Sequence, residues 1–225
     1  MKLNNVTLSY GKKVVAQGIN AELLPGELVC LVGRNGVGKS TLIRHILNMG
    51  EGISVEDTPS TREGRGGVIP KLISVVLTDR IDIDNMTVRD VVAMGRMPYT
   101  GFFGRLNADD RAIVDASMHT LCIDQFAERH INTLSDGERQ KVIIAKALAQ
   151  QTPYILLDEP TAFLDHPSKV STMQLLSRLC KEQNKAILIS THDLEVSLPH
   201  CDKVWHMADG TLKEIAPEDF PIDSL

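Results

Sequence analysis

The sequence has little that would tie it to nucleic acid, an oxidising compartment or a lipid bilayer. Aromatic residues make up 4% of its 225 positions, with a single tryptophan, too few for the stacking platform of a single-strand binder. Positive charge is not in excess. Lys and Arg total 24 against 29 Asp and Glu, a net charge of −5, which argues against coating nucleic acid by bulk charge but leaves room for a local basic patch. The four cysteines, Cys30, Cys122, Cys180 and Cys201, lie far apart with no C-x-x-C pair. Neither a disulfide framework nor a zinc site is expected, and scattered reduced thiols fit a cytosolic chain. No apolar segment of signal-peptide type follows Met1. Apolar runs such as 142–145 and 186–189 fall far short of the ~20 residues that span a bilayer. Any link to a membrane is therefore expected to go through a partner.

What remains is ordinary globular composition, 43% hydrophobic and 24% charged, in a length that suits one ample domain. Strands are expected at 2–10, 14–24 and 27–32, with Pro25-Gly26 as a turn. A Gly-rich loop at 33–38 leads into a helix over 39–49. Residues 50–70 read as loop with one edge strand, and 72–77 as a buried strand. Thr87-Val88-Arg89-Asp90 is a capping box opening a helix to 94, and Asn107 caps a helix to 121. Ser135 opens a helix to 149. Further strands are expected at 154–157 and 186–190, and helices at 168–182 and 193–198. A closing hairpin, 204–207 and 211–214, turns at Asp209-Gly210. Residues 217–225 read as an acidic tail. Alternating strands and helices imply a mostly parallel sheet flanked by helices, interrupted by a helix-rich stretch at 85–150 that suits a smaller lobe.

Gly33-Arg34-Asn35-Gly36-Val37-Gly38-Lys39-Ser40 fits G-x-x-x-x-G-K-[ST], a Walker A phosphate loop, in the required strand-to-helix context. Small residues let backbone N–H groups converge on phosphate oxygens, and the helix start adds its positive dipole end. Lys39 is expected to reach the β- and γ-phosphates, Ser40 to ligate Mg²⁺, and Thr41 to add a hydroxyl for the α-phosphate. Tyr154-Ile155-Leu156-Leu157-Asp158-Glu159 is an apolar strand ending in two carboxylates. In a parallel sheet that end faces the ligand crevice. Asp158 is expected to hold Mg²⁺ through water, and Glu159 to act as general base toward the attacking water.

Leu134-Ser135-Asp136-Gly137-Glu138 resembles LSGGQ, the signature of ATP-binding cassette (ABC) ATPases, and the order of motifs along the whole chain resembles that family. Tyr10 fits the aromatic that stacks on adenine, Ala162-Phe163-Leu164-Asp165 the D-loop, and His192 the switch histidine that holds γ-phosphate and water. The resemblance implies a P-loop ABC cassette over 1–225. A core of 1–84 and 151–225 would carry N-terminal antiparallel strands, and a helical lobe of 85–150 the signature. It also implies a head-to-tail homodimer with ATP between Walker A of one subunit and Ser135 and Gly137 of the other. Asp136 and Glu138 depart from LSGGQ. Ser135 and Glu138 also form a capping box, so Glu138 is expected to face its own backbone. No glutamine lies between Gln17 and Gln125. Thr78, followed by Asp79, stands where the family places its Q-loop glutamine, with a hydroxyl able to meet Mg²⁺ through water.

The stretch 94–106, with Gly95-Arg96-Met97-Pro98-Tyr99, resembles the subfamily that imports ferric siderophores, haem and vitamin B12. Its Pro, Gly and aromatic content suits an exposed docking loop. The resemblance implies an Mg-ATP-hydrolysing subunit working with integral membrane permease subunits and a substrate-binding protein, at the cytoplasmic face of the cell membrane, without nucleic acid. The competing class is a soluble ABC ATPase acting on a protein or nucleic-acid assembly, whose mark would be basic patches or an added arm.

Overall fold

The computed structural model describes residues 1–55, 69–77, 85–101 and 104–221. Strands β1 (Lys2–Tyr10), β2 (Lys13–Glu22) and β4 (Ile53–Ser54) form an antiparallel sheet in the order β2-β1-β4. A second sheet has the order β5-β6-β7-β3-β8-β9, from β3 (Leu28–Val32), β5 (Ile73–Val76), β6 (Tyr154–Asp158), β7 (Ala186–Ser190), β8 (Lys203–Ala208) and β9 (Thr211–Ile215). Its first five strands run parallel, and β9 closes antiparallel on β8.

The helices are α1 (Lys39–Leu47), α2 (Ile69–Leu72), α3 (Val88–Ala93), α4 (Ala108–Thr120), α5 (Asp136–Ala149), α6 (His166–Gln183) and α7 (Leu194–Ser197). None is long and apolar enough to cross a membrane among the described residues.

The continuous apolar runs of β3, β6 and β7 follow from burial on both faces. Leu28, Cys30 and Val32 of β3 enter one apolar cluster, Val29 and Leu31 the other. The first cluster also takes Met173 and Leu176 of α6 together with Val91, Val114 and Val142 of α3 to α5, so those helices share a core with the sheet. The second takes Leu42, Ile43 and Ile46 of α1 with Leu3, Val6 and Ile19 of the antiparallel sheet. The parallel register carries the C-terminal ends of β3, β6 and β7 to one edge.

Capping boxes at Thr87/Asp90, Asn107/Asp110 and Ser135/Glu138 start α3, α4 and α5. Three expectations change. Helix α6 begins two residues early, at His166, because Asp165 is its N-cap and accepts from Ser168 N at 3.1 Å, with Pro167 in the first turn where its missing N–H costs nothing. The segment 94–99 is a 3₁₀ helix rather than open loop. Arg96 is buried there in an ion pair with Asp110 at 2.9 Å, while Met97 and Tyr99 are the exposed side chains of the turn. The C-terminal stretch is not simply a tail, since Phe220 is buried against His206 with ring centroids 5.2 Å apart.

Candidate nucleotide site

Asn35, Gly36, Gly38, Lys39, Ser40, Thr41, Asp158 and Glu159 line one cavity of about 220 Å³ at the sheet edge. The loop's shape depends on glycine at both ends. Gly33 has φ +151°, and a Cβ there would stand 2.4 Å from the Met207 carbonyl. Gly38 has φ +115°, and a Cβ would stand 2.7 Å from Val15 Cγ1. Both conformations are rare for L side chains. Lys39 curls back over the loop, its Nζ donating to Gly33 O at 2.7 Å and Arg34 O at 3.3 Å. Burial lowers its pKa from the usual lysine value, against the opposing pull of Glu159 and Asp158. Arg34 and Asn35 are exposed, and Val37 packs under the loop in the second apolar cluster.

Asp158 ends β6 in register with Ser190 of β7. The Ser190 hydroxyl donates to Asp158 Oδ1 and accepts from Glu159 N at 3.0 Å. The Glu159 N–H is shared with Ser190 O at 3.1 Å. Glu159 has φ +54°, a left-handed backbone rarely taken by non-glycine residues. Its Oε2 lies 2.6 Å from His192 Nδ1. Since an ionised carboxylate only accepts, Nδ1 carries the shared proton and Nε2 is left for another partner. Behind His192, Asp193 accepts from Thr161 Oγ1 at 3.1 Å and Lys169 Nζ at 3.0 Å. This ties the histidine turn to the segment 161–165.

Several expected site residues lie apart from this cavity. Tyr10 is at the tip of the β1–β2 hairpin, 74% exposed. Ser135 and Gly137 open α5 and do not line the cavity. Gly137 faces α6, where an added Cβ would meet Ser168 Oγ at 3.2 Å. The Asp165 carboxylate is engaged as the α6 cap, and its bond from Ser168 lowers its pKa. Thr78 and Asp79 fall outside the described residues. Ser190 escaped the reading of the sequence. Its only signal was its place at the end of the strand that pairs with the acidic one.

Among the described residues no group of three His, Cys, Asp or Glu is placed to hold a metal ion. Ser40 and Asp158 do face one cavity with hard oxygen donors. That small set fits Mg²⁺, which takes one or two protein oxygens and completes its shell with water and substrate phosphates.

The family model described as ABC transporter matches residues 16–162. The chain belongs to the ABC transporter family. An uncharacterised ABC transporter ATP-binding protein of Methanocaldococcus jannaschii is 41% identical over 207 residues, 91% of this chain and 71% of that protein. A cobalamin import ATP-binding protein of Halobacterium salinarum is 36% identical over 208 residues. That match covers 89% of this chain, which spans half of the relative's length. An iron(3+)-hydroxamate import ATP-binding protein of Bacillus subtilis is 36% identical over 190 residues, 83% of this chain and 71% of that protein. Among solved structures, the cbiO1 component of an ABC transporter complex from Clostridium perfringens superposes with a TM-score of 0.84 at 28% identity, covering 97% of this chain and 88% of that one. A bacterial ABC transporter cassette solved as a dimer gives 0.77 at 27% identity, covering 97% and 99%. The mostly parallel sheet with a separate antiparallel sheet and flanking helices is thus the P-loop ABC cassette fold.

Proposed function

We propose that the chain is the Mg-ATP-hydrolysing subunit of a membrane importer whose cargo is an iron chelate, haem or cobalamin. The observation that carries the ATPase reading is the meeting of Lys39, Ser40, Asp158 and Glu159 around one cavity, with His192 bonded to Glu159. The relatives named for cobalamin and hydroxamate import support the cargo class. The match to a dimeric cassette supports head-to-tail pairing. The permease subunits and a substrate-binding protein are the proposed partners, holding the chain at the cytoplasmic membrane face through the segment 94–106. The cassette is taken as one unit, with 85–150 as the lobe that carries the signature.

In this reading the loop N–H groups of Gly36, Gly38 and Lys39 bind phosphate oxygens, and Tyr10 stacks on the adenine. Lys39 exchanges its two loop carbonyls for the β- and γ-phosphates. Ser40 and Asp158 hold Mg²⁺, which when bound neutralises charge on the phosphate oxygens. Glu159 takes a proton from the attacking water at its carboxylate. His192 fixes that carboxylate through Nδ1, and Ser190 fixes the Glu159 backbone and Asp158. Ser135 and Gly137 of a second copy cover the γ-phosphate.

The test is tagged Glu159→Gln recovered from solubilised membranes with ATP, followed by mass spectrometry. Turnover should be lost with ATP binding kept, and a polytopic membrane protein should come down in stoichiometric amount. Recovery only from the cytosolic fraction, with ribosomal or DNA-bound partners, would sink the importer reading.

A further inference from the structure

We propose that Glu138 acts as a brake on the ATP-bound dimer, because its carboxylate sits in the signature turn where the γ-phosphate of the opposite subunit's nucleotide has to dock. This rests on the head-to-tail pairing set out above. One oxygen, Glu138 Oε2, receives both Ser135 donors: the backbone N–H at 2.9 Å and the hydroxyl at 2.9 Å. The Ser135 hydroxyl in turn accepts from Glu138 N at 3.3 Å. The hydroxyl proton is thus already committed, and Ser135 has to release Glu138 before it donates to a phosphate.

Release does not remove the charge. A phosphate oxygen within hydrogen-bonding reach of Ser135 Oγ lies no more than about 6 Å from Glu138 Oε2 as the turn now stands. At that range two anions outside bulk water repel appreciably. The carboxylate also spends the positive end of α5 that would otherwise attract the phosphate. Among the described ion pairs none includes Glu138. Arg129 and Lys141 attract it without pairing with it, and Arg129 is engaged with Thr133 O at 2.8 Å. The Ser135 backbone and hydroxyl bonds hold the Glu138 carboxyl below the ordinary glutamate range, so the charge persists at neutral pH.

Glutamine separates this role from capping. Either Glu or Gln closes a capping box, so Glu138→Gln keeps the helix start and removes only the charge. The brake keeps the ATP-bound dimer short-lived, and each dimer carries it twice.

The experiment compares Glu159→Gln with the double variant Glu138→Gln/Glu159→Gln, so that ATP is bound but not cleaved. Dimerisation with Mg-ATP is followed by sedimentation at low and high salt. The double variant should dimerise with a dissociation constant lower by about tenfold or more. Its advantage should shrink at high salt, where repulsion is screened, and the two melting temperatures should agree. Equal dimerisation at low salt overturns the proposal. So does an equal gain from Asp136→Asn, which would make the effect one of general charge. If Glu159→Gln stays monomeric with ATP, and the double variant with it, the head-to-tail reading falls and takes this inference with it.

Discussion

His192 Nδ1 and Glu159 Oε2 meet at 2.6 Å across 33 residues of sequence. They do so because β6 and β7 are parallel neighbours whose ends project to the same edge. The imidazole removes rotational freedom from the carboxylate proposed to face the attacking water. His192→Ala should therefore lower kcat by about 10²-fold while the KM for ATP changes little, the pattern of an interaction made at the chemical step. Steady-state kinetics check this, and an unchanged kcat would remove His192 from the proposed mechanism.

The burial of Lys39 has a protonic consequence. In the free protein its ammonium loses a proton at lower pH than an ordinary lysine, whose pKa is about 10.4. Phosphate oxygens restore preference for the charged form, so in the window between the depressed and restored values ATP binding takes up a proton. Affinity then falls as pH rises through that window. Alkaline calorimetric titrations in two buffers of different ionisation enthalpy should give different heats, and Lys39→Met should abolish the difference. Equal heats for the unmodified chain would contradict this.

Arg96 and Asp110 form a buried ion pair, each side chain 5% exposed. Arg96 also donates to Ala149 O at 2.8 Å, which binds the 3₁₀ turn to the end of α5. Asp110→Ala leaves the guanidinium buried without its counter-ion and should cost about 3–5 kcal/mol, read from the urea midpoint. The Asn107 N–H, then Arg96, lower the Asp110 pKa. Its contribution is complete above the ordinary carboxylate pKa near 4 and is lost as pH falls through the depressed value. Asp110→Asn should flatten that acid limb, and an unchanged limb would mean other carboxylates dominate it.

Gly95 leaves no room for a side chain. A Cβ there would stand 2.3 Å from Lys146 O and 3.1 Å from Ala149 Cβ. Gly101, in the same segment, has nothing within 4 Å. Gly95→Ala should cost about 1–3 kcal/mol through forced displacement, and Gly101→Ala should be close to neutral. Paired thermal melts test this, and equal midpoints would mean the turn slides freely on α5.

What the sequence made legible was local. Two capping boxes, the Asn107 cap, the phosphate loop and the acidic strand end are spacings within eight residues, and backbone geometry turns such spacings into structure with little tertiary help. What it hid was non-local. Arg96 looked like loop surface because arginine is seldom buried, and its partner Asp110 reaches it only once α4 packs. Ser190 looked like the polar end of an apolar strand until register set it beside Asp158. The helix expected from 168 starts at His166, because proline suits a helix's first turn. Phe220 gave no periodic signal from a single buried ring. The expected role of Thr78 lies outside the described residues.

The contact between Gly33 and Met207 bears on the order in which the molecule is made. The phosphate loop lies near the beginning of the chain, yet β3 is flanked by β7 and β8, which are synthesised more than 150 residues later. The loop's curve is held against a carbonyl of β8. The nascent chain thus carries its nucleotide motif long before it can use it, and these distant pairings make the fold slow to close. Competence to bind ATP therefore waits on strands made more than 150 residues after the loop, so nucleotide capture doubles as a report that β7 and β8 have joined the sheet.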